Sequence, residues 1–186
     1  IHWPATAKEQ KLMVFQNDSA TSQSVTIILK MVSRAMEHGG TAIDADKMET
    51  AIRLCAGLFD SALAVGMPLR FAANCCTTDA RDTIFTGEYW GRDYIESLFQ
   101  LLARLKLRST EEFFAFLGDC YHNITSTDLI LVTGFVDERI LEVVRRKQAD
   151  GVRVRTMLLG EIPSELDAAG CEIIELSPAQ LEGGAA

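Results

Sequence analysis

The chain has 186 residues, 48% of them hydrophobic, and a formal net charge of -8. This length and apolar fraction suit a single globular domain with one sizeable core. Nucleic acids and anionic membranes are bound through basic surfaces, so the negative charge argues against both as partners. No stretch reaches the roughly 20 apolar residues of a membrane-spanning helix, and no signal peptide is recognisable at the start. The sequence begins at Ile1 without a methionine, which suggests a piece cut from a longer protein.

Residues 1–23 are predicted to form an irregular lead-in that contains a short edge strand at 11–16. The next run, 24–31, reads SVTIILKM. Its nearly unbroken apolar and β-branched side chains, in a stretch too short for a helix, predict a strand buried on both faces at the centre of a parallel sheet. Ligands of such sheets bind beyond the carboxyl ends of the strands. The residues after Leu29 therefore mark the expected site, and residues 30–34 contain no carboxylate.

After a loop, a helix is predicted over residues 47–65. We take Asp46 as its N-cap, with Glu49 in an acidic first turn, and Gly66 as its stop. Apolar residues recur at spacings of three and four along this helix: Met48, Ile52, Cys55, Phe59 and Leu63. A strand over residues 68–75 then completes a right-handed βαβ unit.

The rest of the chain continues to alternate strands and helices. The predicted elements are a short hairpin strand at 83–86, helices over 91–106 and 109–123, a buried strand at 128–135, a helix from Asp137 to Asp150 that ends at Gly151, a half-exposed edge strand at 152–159, a short helix at 164–170 and a last strand at 171–176. This pattern is typical of an α/β domain with a doubly wound, mostly parallel, Rossmann-like sheet and helices on both faces. We place that domain at 24–178 and a flexible tail at 179–186.

Three phenylalanines lie close together in the predicted helix over 109–123, at Phe113, Phe114 and Phe116. Aromatic residues spaced in this way fill a core more often than they form a cage around a ligand. We therefore predict that all three lie on the inner face of the helix.

The five cysteines indicate a reducing compartment, because their number is odd and no two of them show CxxC spacing. Cys55 and Cys171 lie in apolar stretches that suit a small buried side chain. Cys75 and Cys76 are adjacent and cannot easily bond to each other. We interpret them as packing residues at the end of a strand.

The common catalytic and phosphate-binding motifs are missing. GxGxxG, GxxxxGK[ST] and GxSxG do not occur, so the sequence offers no support for nucleotide binding or for a serine nucleophile. The three histidines, His2, His38 and His122, are far apart and show no metal-ligand spacing. Carboxylates at the carboxyl edge of the sheet are candidates for acid–base chemistry, although helix capping, the interpretation we favour, explains each of them without it: Asp44, Asp46 and Asp137.

Three segments carry a resemblance to a known family. They read IHWPATAK at 1–8, LMV at 12–14 and DKMETAI at 46–52. These segments resemble the bacterial proteins of the family called domain of unknown function 58, which carry an I-x-W-x-x-[TS]-A-[RK] segment, an L-M/V-V strand and a D-x-x-E-x-A-[VI] helix opening. The resemblance covers nearly the whole chain, and it implies a C-terminal domain similar to the von Willebrand factor A fold.

The resemblance also implies the position of a metal site, at which this chain departs from the pattern. A von Willebrand factor A fold usually binds Mg²⁺ through DxSxS after its first strand, a later Thr and an Asp after its fourth strand, since hard cations need oxygen ligands. Lys30 stands where the leading Asp is expected, and Thr133-Gly134 where the later Thr-Asp is expected. Because an ammonium repels a divalent ion, we predict a degenerate metal-ion-dependent adhesion site, with no metal and no cofactor.

The function implied by the resemblance is a non-catalytic adaptor that binds a protein partner. Related genes typically lie beside a MoxR-type AAA+ ATPase, and full-length relatives usually carry two membrane helices. We therefore expect the cytoplasmic part of a membrane-anchored protein that itself makes no direct membrane contact. The predicted interaction face comprises Lys30, Met31, Ser33, Arg34, Thr78, Asp79, Thr133, Gly134 and Asp137.

The alternative from a different class is a hydrolase or phosphate-handling enzyme that uses carboxylates at the same edge. The two hypotheses differ in a simple geometric observation. An enzyme is favoured if two of four carboxylates lie within hydrogen-bonding reach of each other in a cleft: Asp44, Asp46, Asp79 and Asp137.

Overall fold

The computed structural model describes residues 23–32, 34–35 and 41–176. The strands of these residues are β1 (Val25–Leu29), β2 (Arg34–Ala35), β3 (Thr41–Ala42), β4 (Leu69–Ala73), β5 (Cys75–Thr77), β6 (Ile84–Phe85), β7 (Leu105–Ser109), β8 (Asp128–Thr133), β9 (Arg153–Leu158) and β10 (Glu172–Glu175). The helices are α1 (Ala45–Ala64), α2 (Arg92–Leu102), α3 (Phe113–Cys120) and α4 (Glu138–Ala149), with a 3-10 turn at Tyr121–Asn123. The predicted edge strand at 11–16 and the predicted tail at 179–186 lie outside the described residues.

β1 lies in the interior of a six-stranded sheet with the order β10-β9-β8-β1-β4-β6. It pairs in parallel with β4 and β8, so that Leu29 lies opposite Ala73 and Val132. β8, β9 and β10 are also parallel, with Thr133 opposite Leu158, and β6 alone is antiparallel. The parallel strands therefore end together, at what we call the carboxyl edge: the residues that follow Leu29, Ala73, Thr133 and Leu158.

Helices cover both faces of this sheet because its central strands are apolar on both sides. All five residues of β1 are buried. Ile27 and Leu29 share a core cluster with residues of α1 and α2, whereas Ile28 shares one with residues of α3 and α4. The predicted mostly parallel, Rossmann-like α/β architecture is confirmed.

Several local predictions are confirmed together with the architecture. Ile84 and Phe85 form the short strand that closes a hairpin with β4. Asp137 caps α4, and the chain turns at Gly66 and Gly151 with φ values of 67° and 85°. A side chain is strained in that left-handed conformation, which is why glycine stands at both positions.

Other local predictions were wrong in the first half of the chain. The N-cap of α1 is Asp44, not Asp46, because the Asp44 side chain accepts a hydrogen bond from Lys47 N at 3.2 Å. α2 ends at Leu102, and Leu105 begins β7 instead of lying on the inner face of a longer helix. The antiparallel pairing of β7 with β5 outweighs the helical periodicity of this stretch. β2 and β3 also pair within a segment that was predicted as a loop.

Two further corrections concern the last third of the chain. β9 is not an edge strand, since it pairs with β8 on one side and with β10 on the other. Its arginines instead form ion pairs with acidic side chains of those neighbours, Arg153 with Asp128 at 3.2 Å and Arg155 with Glu172 at 2.7 Å. Residues 164–170 form turns, not a helix.

Candidate functional site

Lys30 is buried at the carboxyl edge, directly after the central strand. Its backbone N–H donates to Val132 O at 2.9 Å, and its carbonyl accepts from Val32 N at 2.8 Å, so the residue is fixed beside the end of β8. The residue as a whole is only 2% exposed. Within the described part of the chain, its Nζ has no hydrogen-bond partner. A buried ammonium group without an acceptor in the protein is rare.

Three phenylalanine rings surround this ammonium. Nζ lies 3.5 Å from the ring centroid of Phe135, 5.4 Å from that of Phe113 and 5.9 Å from that of Phe114. We call these three side chains the aromatic cage. Each ring face carries partial negative charge and attracts the cation without accepting a conventional hydrogen bond.

The core interpretation of the phenylalanines in α3 is therefore confirmed only in part. Phe116 and Phe113 are 2% and 4% exposed and belong to the core. Phe113 also belongs to the aromatic cage, and Phe114 is only half-buried. A helical spacing pattern predicts which residues point inward. It contains no information about Lys30, which follows β1 and lies beside the Phe113 and Phe114 rings.

Burial lowers the pKa of Lys30 from its ordinary value of 10.5 to about 8. Two nearby carboxylates, Asp137 and Glu112, raise the pKa, and the guanidinium of Arg139 lowers it. Loss of hydration is the largest of these effects because it disfavours the charged form. Neither carboxylate is close enough to form an ion pair with Lys30, since no contact within 4.0 Å joins them in the described chain.

Both carboxylates are held at the beginning of a helix. Asp137 accepts a hydrogen bond from Ile140 N at 2.9 Å and caps α4. Glu112 accepts from Phe114 N at 2.9 Å and from the next backbone N–H at 3.0 Å, and so caps α3. These bonds keep both carboxylates turned toward backbone amides. α3 and α4 thus both begin beside the aromatic cage.

Arg139 lies at the outer side of the aromatic cage. Its guanidinium carbon is 3.8 Å from the ring centroid of Phe114, and its Nη1 is 3.9 Å from Glu112 Oε1. The Arg139 side chain is 65% exposed. A second cation, accessible to solvent, therefore stands near the buried Lys30.

Asn74 fixes the backbone of this site. It follows β4 and is fully buried, its amide oxygen accepts from Met31 N at 2.7 Å, and its NH₂ group donates to Glu111 O at 3.1 Å. It thereby joins the residue after Lys30 to the segment that leads into α3. Asn74 was not among the predicted site residues, although a lone amide within the apolar run FAANCC was a usable signal.

Thr133 and Gly134 shape the site from the end of β8. The Thr133 hydroxyl is fully buried and donates to Phe135 O at 2.8 Å, which fixes the turn that carries the Phe135 ring. A Cβ added to Gly160 would lie 3.4 Å from Gly134 O and 3.8 Å from Lys47 Nζ. A third cation, Lys47, is therefore also found at the carboxyl edge.

The predicted interaction face is only partly assembled. Lys30, Met31, Thr133 and Gly134 converge but are buried, and Asp137 is half-buried. Thr78 and Asp79 are exposed and belong to another contact, in which Thr78 N donates to Arg104 O at 2.9 Å and Asp79 Oδ2 accepts from Arg104 Nη1 at 3.1 Å. Arg34 lies in β2, and Ser33 lies outside the described residues. The accessible part of the carboxyl edge is instead formed by Glu112, Phe114, Phe135, Asp137 and Arg139.

Each of the four aspartates of the enzyme hypothesis makes contacts with the elements around it. Asp44 and Asp137 cap α1 and α4, and Asp79 binds Arg104. The backbone carbonyl of Asp46 accepts from Thr50 Oγ1 within α1. None of these hydrogen bonds and ion pairs joins two of the four aspartates.

The donor set at the carboxyl edge does not fit a divalent metal ion. Among the described residues, no group of three or more His, Cys, Asp or Glu side chains converges closely enough to hold one. The position expected to carry the leading ligand holds the Lys30 ammonium, which has no oxygen to offer and repels a cation.

The cysteines are free thiols, and four of the five are buried. Burial raises the pKa of Cys75 to about 12 and that of Cys120 to about 11. A thiol with so high a pKa is protonated at neutral pH and is a poor nucleophile. Packing is therefore their role in the fold, as predicted for Cys55, whereas Cys171 is only half-buried.

The fold and the site define a class of protein: a Rossmann-like α/β domain whose sheet carries a buried, ring-enclosed lysine at its carboxyl edge. Among the described helices, none combines the length and apolar character needed to span a bilayer. Comparison with protein-family models and with curated protein sequences finds no match.

Proposed function

We propose that this chain is a non-catalytic protein-interaction domain with a von Willebrand factor A-like fold, related to the proteins of domain of unknown function 58. The observation that carries the proposal is the Lys30 ammonium, buried at the carboxyl edge of the sheet and enclosed by three rings. An amine takes the place that such folds give to a metal ion, and the edge serves for docking.

The order of the sheet supports the fold assignment. β1 lies between β4 and β8, three further pairings extend the sheet, and the short edge strand β6 is antiparallel. Lys30 follows the central strand and Thr133-Gly134 end its neighbour, in agreement with the positions implied by the resemblance. At 4 Å, a divalent ion and an ammonium repel each other by on the order of 8 kcal/mol at an effective dielectric constant of 20.

The accessible side chains at this edge support a docking role. Arg139 stacks on Phe114 at 3.8 Å, and Phe135 is half-buried beside them. Aromatic and arginine side chains of this kind are enriched at protein–protein interfaces and at their energetic hot spots. The partner we propose is a MoxR-type AAA+ ATPase, with this domain as the cytoplasmic part of a membrane-anchored protein.

The test is direct binding between this chain and the MoxR-type ATPase of the same cell, measured by isothermal titration calorimetry. We expect R139A and F114A each to weaken binding at least tenfold. The matched control is R53A, which removes an arginine whose side chain is 76% exposed and is paired with Glu49 on α1. Absence of binding, or equal losses in R139A and R53A, would contradict the proposal.

The proposed loss of the metal site has its own test. We expect titration with Mg²⁺ or Mn²⁺ to give no saturable heat at micromolar concentrations. Micromolar binding that K30A leaves unchanged would show that a metal is held elsewhere at this edge, and the docking proposal in its present form would then fail.

A further inference from the structure

Lys30 is a buried cation that the described chain leaves without an acceptor. Its ammonium has three N–H donors, and Nζ makes no hydrogen bond within that part of the chain. Buried polar groups in folded proteins are almost always hydrogen-bonded, so each exception calls for an explanation. A ligand that supplies the missing acceptor is one such explanation.

The neighbouring carboxylates do not supply it. Asp137 and Glu112 are near enough to influence Lys30, but they accept hydrogen bonds from the first turns of α4 and α3. A turn of either carboxylate toward Lys30 would uncap a helix, at a cost of about 1 kcal/mol. The site therefore has three donors to offer, and none of them reaches an acceptor in the described residues.

The cover over Lys30 consists of side chains. Phe114 and Phe135 are half-buried, and their outer surfaces face solvent together with Arg139. The Phe135 ring could rotate away from Nζ without a change in the backbone of its turn, which is held by the Thr133 hydroxyl. An incoming anion would meet the exposed guanidinium of Arg139 first and the ammonium of Lys30 behind it.

The donors suit a carboxylate better than a phosphate. The backbone N–H groups at the starts of α3 and α4, which are the usual phosphate ligands, are already bound by Glu112 and Asp137. Lys30 and Arg139 remain, and two cationic side chains match the two oxygens of one carboxylate. A phosphate would leave at least one charged oxygen without a donor in an aromatic surrounding.

We infer that an aspartate or glutamate side chain of the protein partner enters between Phe114 and Phe135 and forms the ion pair that Lys30 lacks. This inference rests on the proposed docking function and assigns its specificity. The rings hold the ammonium in the free domain, and the carboxylate replaces them on binding. No covalent step is involved.

Binding of a carboxylate requires the charged form of Lys30, so it depends on pH. With a pKa of about 8 in the free domain, the ammonium is mostly charged at pH 7 and mostly neutral at pH 9. The charged groups that face Lys30 are Glu112, Asp137 and Arg139. Apparent affinity is therefore expected to fall about tenfold between pH 7 and pH 9.

The first measurement uses sodium acetate as the probe and follows the ¹³Cε resonance of Lys30 by NMR. We expect a saturable shift at pH 7 that sodium chloride at equal ionic strength does not produce, and about tenfold weaker binding at pH 9. K30M and K30Q should lose the acetate effect on neighbouring amide resonances, whereas K47M should keep it. A linear shift without saturation, or an effect that persists in both neutral variants, overturns the inference.

The second measurement separates this inference from the docking proposal. Calorimetry with the MoxR-type ATPase should show binding that is at least tenfold weaker for K30M than for K47M, with both variants folded by circular dichroism. Equal affinity of K30M and wild type for the ATPase overturns the carboxylate inference and leaves docking intact. Saturable acetate binding together with no ATPase binding by any variant supports the carboxylate site and overturns the choice of partner.

Discussion

Replacement of Lys30 by methionine should stabilise the fold at neutral pH. The side chain is 2% exposed, and burial lowers its pKa from 10.5 to about 8. The unfolded chain therefore binds the proton more tightly than the folded chain does. Methionine has a similar length and fills the same space with an apolar chain, so K30M removes the cost of burying the charge without opening a cavity.

The size of the stabilisation expected for K30M follows from the change in the Lys30 pKa. A pKa lowered from 10.5 to about 8 corresponds to a cost of about 3 kcal/mol when the ammonium is held charged at pH 7. Attraction by the ring faces offsets on the order of 1–2 kcal/mol of this cost. We therefore expect K30M to raise the free energy of unfolding at pH 7 by about 1–3 kcal/mol.

The sign of the pH dependence follows from the same values. Below pH 8 the cost of the buried charge is fully present, and it is relieved as the pH rises from about 8 toward 10.5. The advantage of K30M should thus be largest at pH 6–7 and should shrink to below about 1 kcal/mol near pH 10. The difference in unfolding free energy between K30M and wild type can be measured by urea unfolding, followed by circular dichroism at pH 6, 7, 8, 9 and 10.

The matched control is K47M, which makes the same change in net charge at the same edge of the sheet. Lys47 is half-buried and its Nζ lies near Gly160, outside the aromatic cage. We expect K47M to follow the wild-type pH profile. Parallel profiles for wild type and K30M, or a K30M variant that is less stable than wild type at pH 7, would refute the assignment of Lys30 as a strained buried cation.

Five other substitutions test a buried amide, a helix cap and two glycines. N74A should lower the free energy of unfolding by about 2 kcal/mol in urea titrations, because the buried N–H of Met31 loses its acceptor. D137A should lower the free energy of unfolding by about 1 kcal/mol, because α4 loses its cap. D137N should keep most of that stability but lower the pKa of Lys30 further, which NMR titration can measure. G151A should lower the melting temperature because φ is 85° there, whereas G57A, in α1 with no atom within 4 Å of the added Cβ, should raise it.

The architecture was predictable because the central strands are apolar on both faces. The run around β1 and the matching run around β8 stand out in the sequence, and the glycines at 66 and 151 mark two of the turns between elements. β7 was not predictable in the same way. Leu105 continues the helical spacing of α2, and only pairing with β5, about thirty residues earlier in the chain, determines that it belongs to a strand.

Part of the site was predictable, but the cage around Lys30 was not. Lys30, Met31, Thr133, Gly134 and Asp137 were predicted and lie at the carboxyl edge, and Lys30 is conspicuous because it directly follows a buried strand that has no charged residue. Its cage is contributed by Phe113 and Phe114, which begin α3, and by Phe135, which follows β8. The parallel arrangement of the sheet and the start of α3 bring these segments together, and no local pattern in any of them contains that information.

Lys30 directly follows β1, whose five residues are all buried and uncharged, yet Lys30 carries a charge and is buried as well. Leucine or methionine in its place would bury the same surface without a charge, and the cost of about 3 kcal/mol is a large share of the 5–15 kcal/mol by which domains are usually stable. Attraction by the ring faces offsets only part of this cost, and no hydrogen bond offsets the rest, because Nζ bonds to no backbone or side-chain acceptor in the described residues. Lys147 shows the contrast: it is 4% exposed, yet its Nζ donates to Tyr121 O at 2.9 Å and so joins α4 to the end of α3. Sites at which sequence and fold disagree in this manner are where function is expected, and a cation with unused donors favours a function that brings an anion to it.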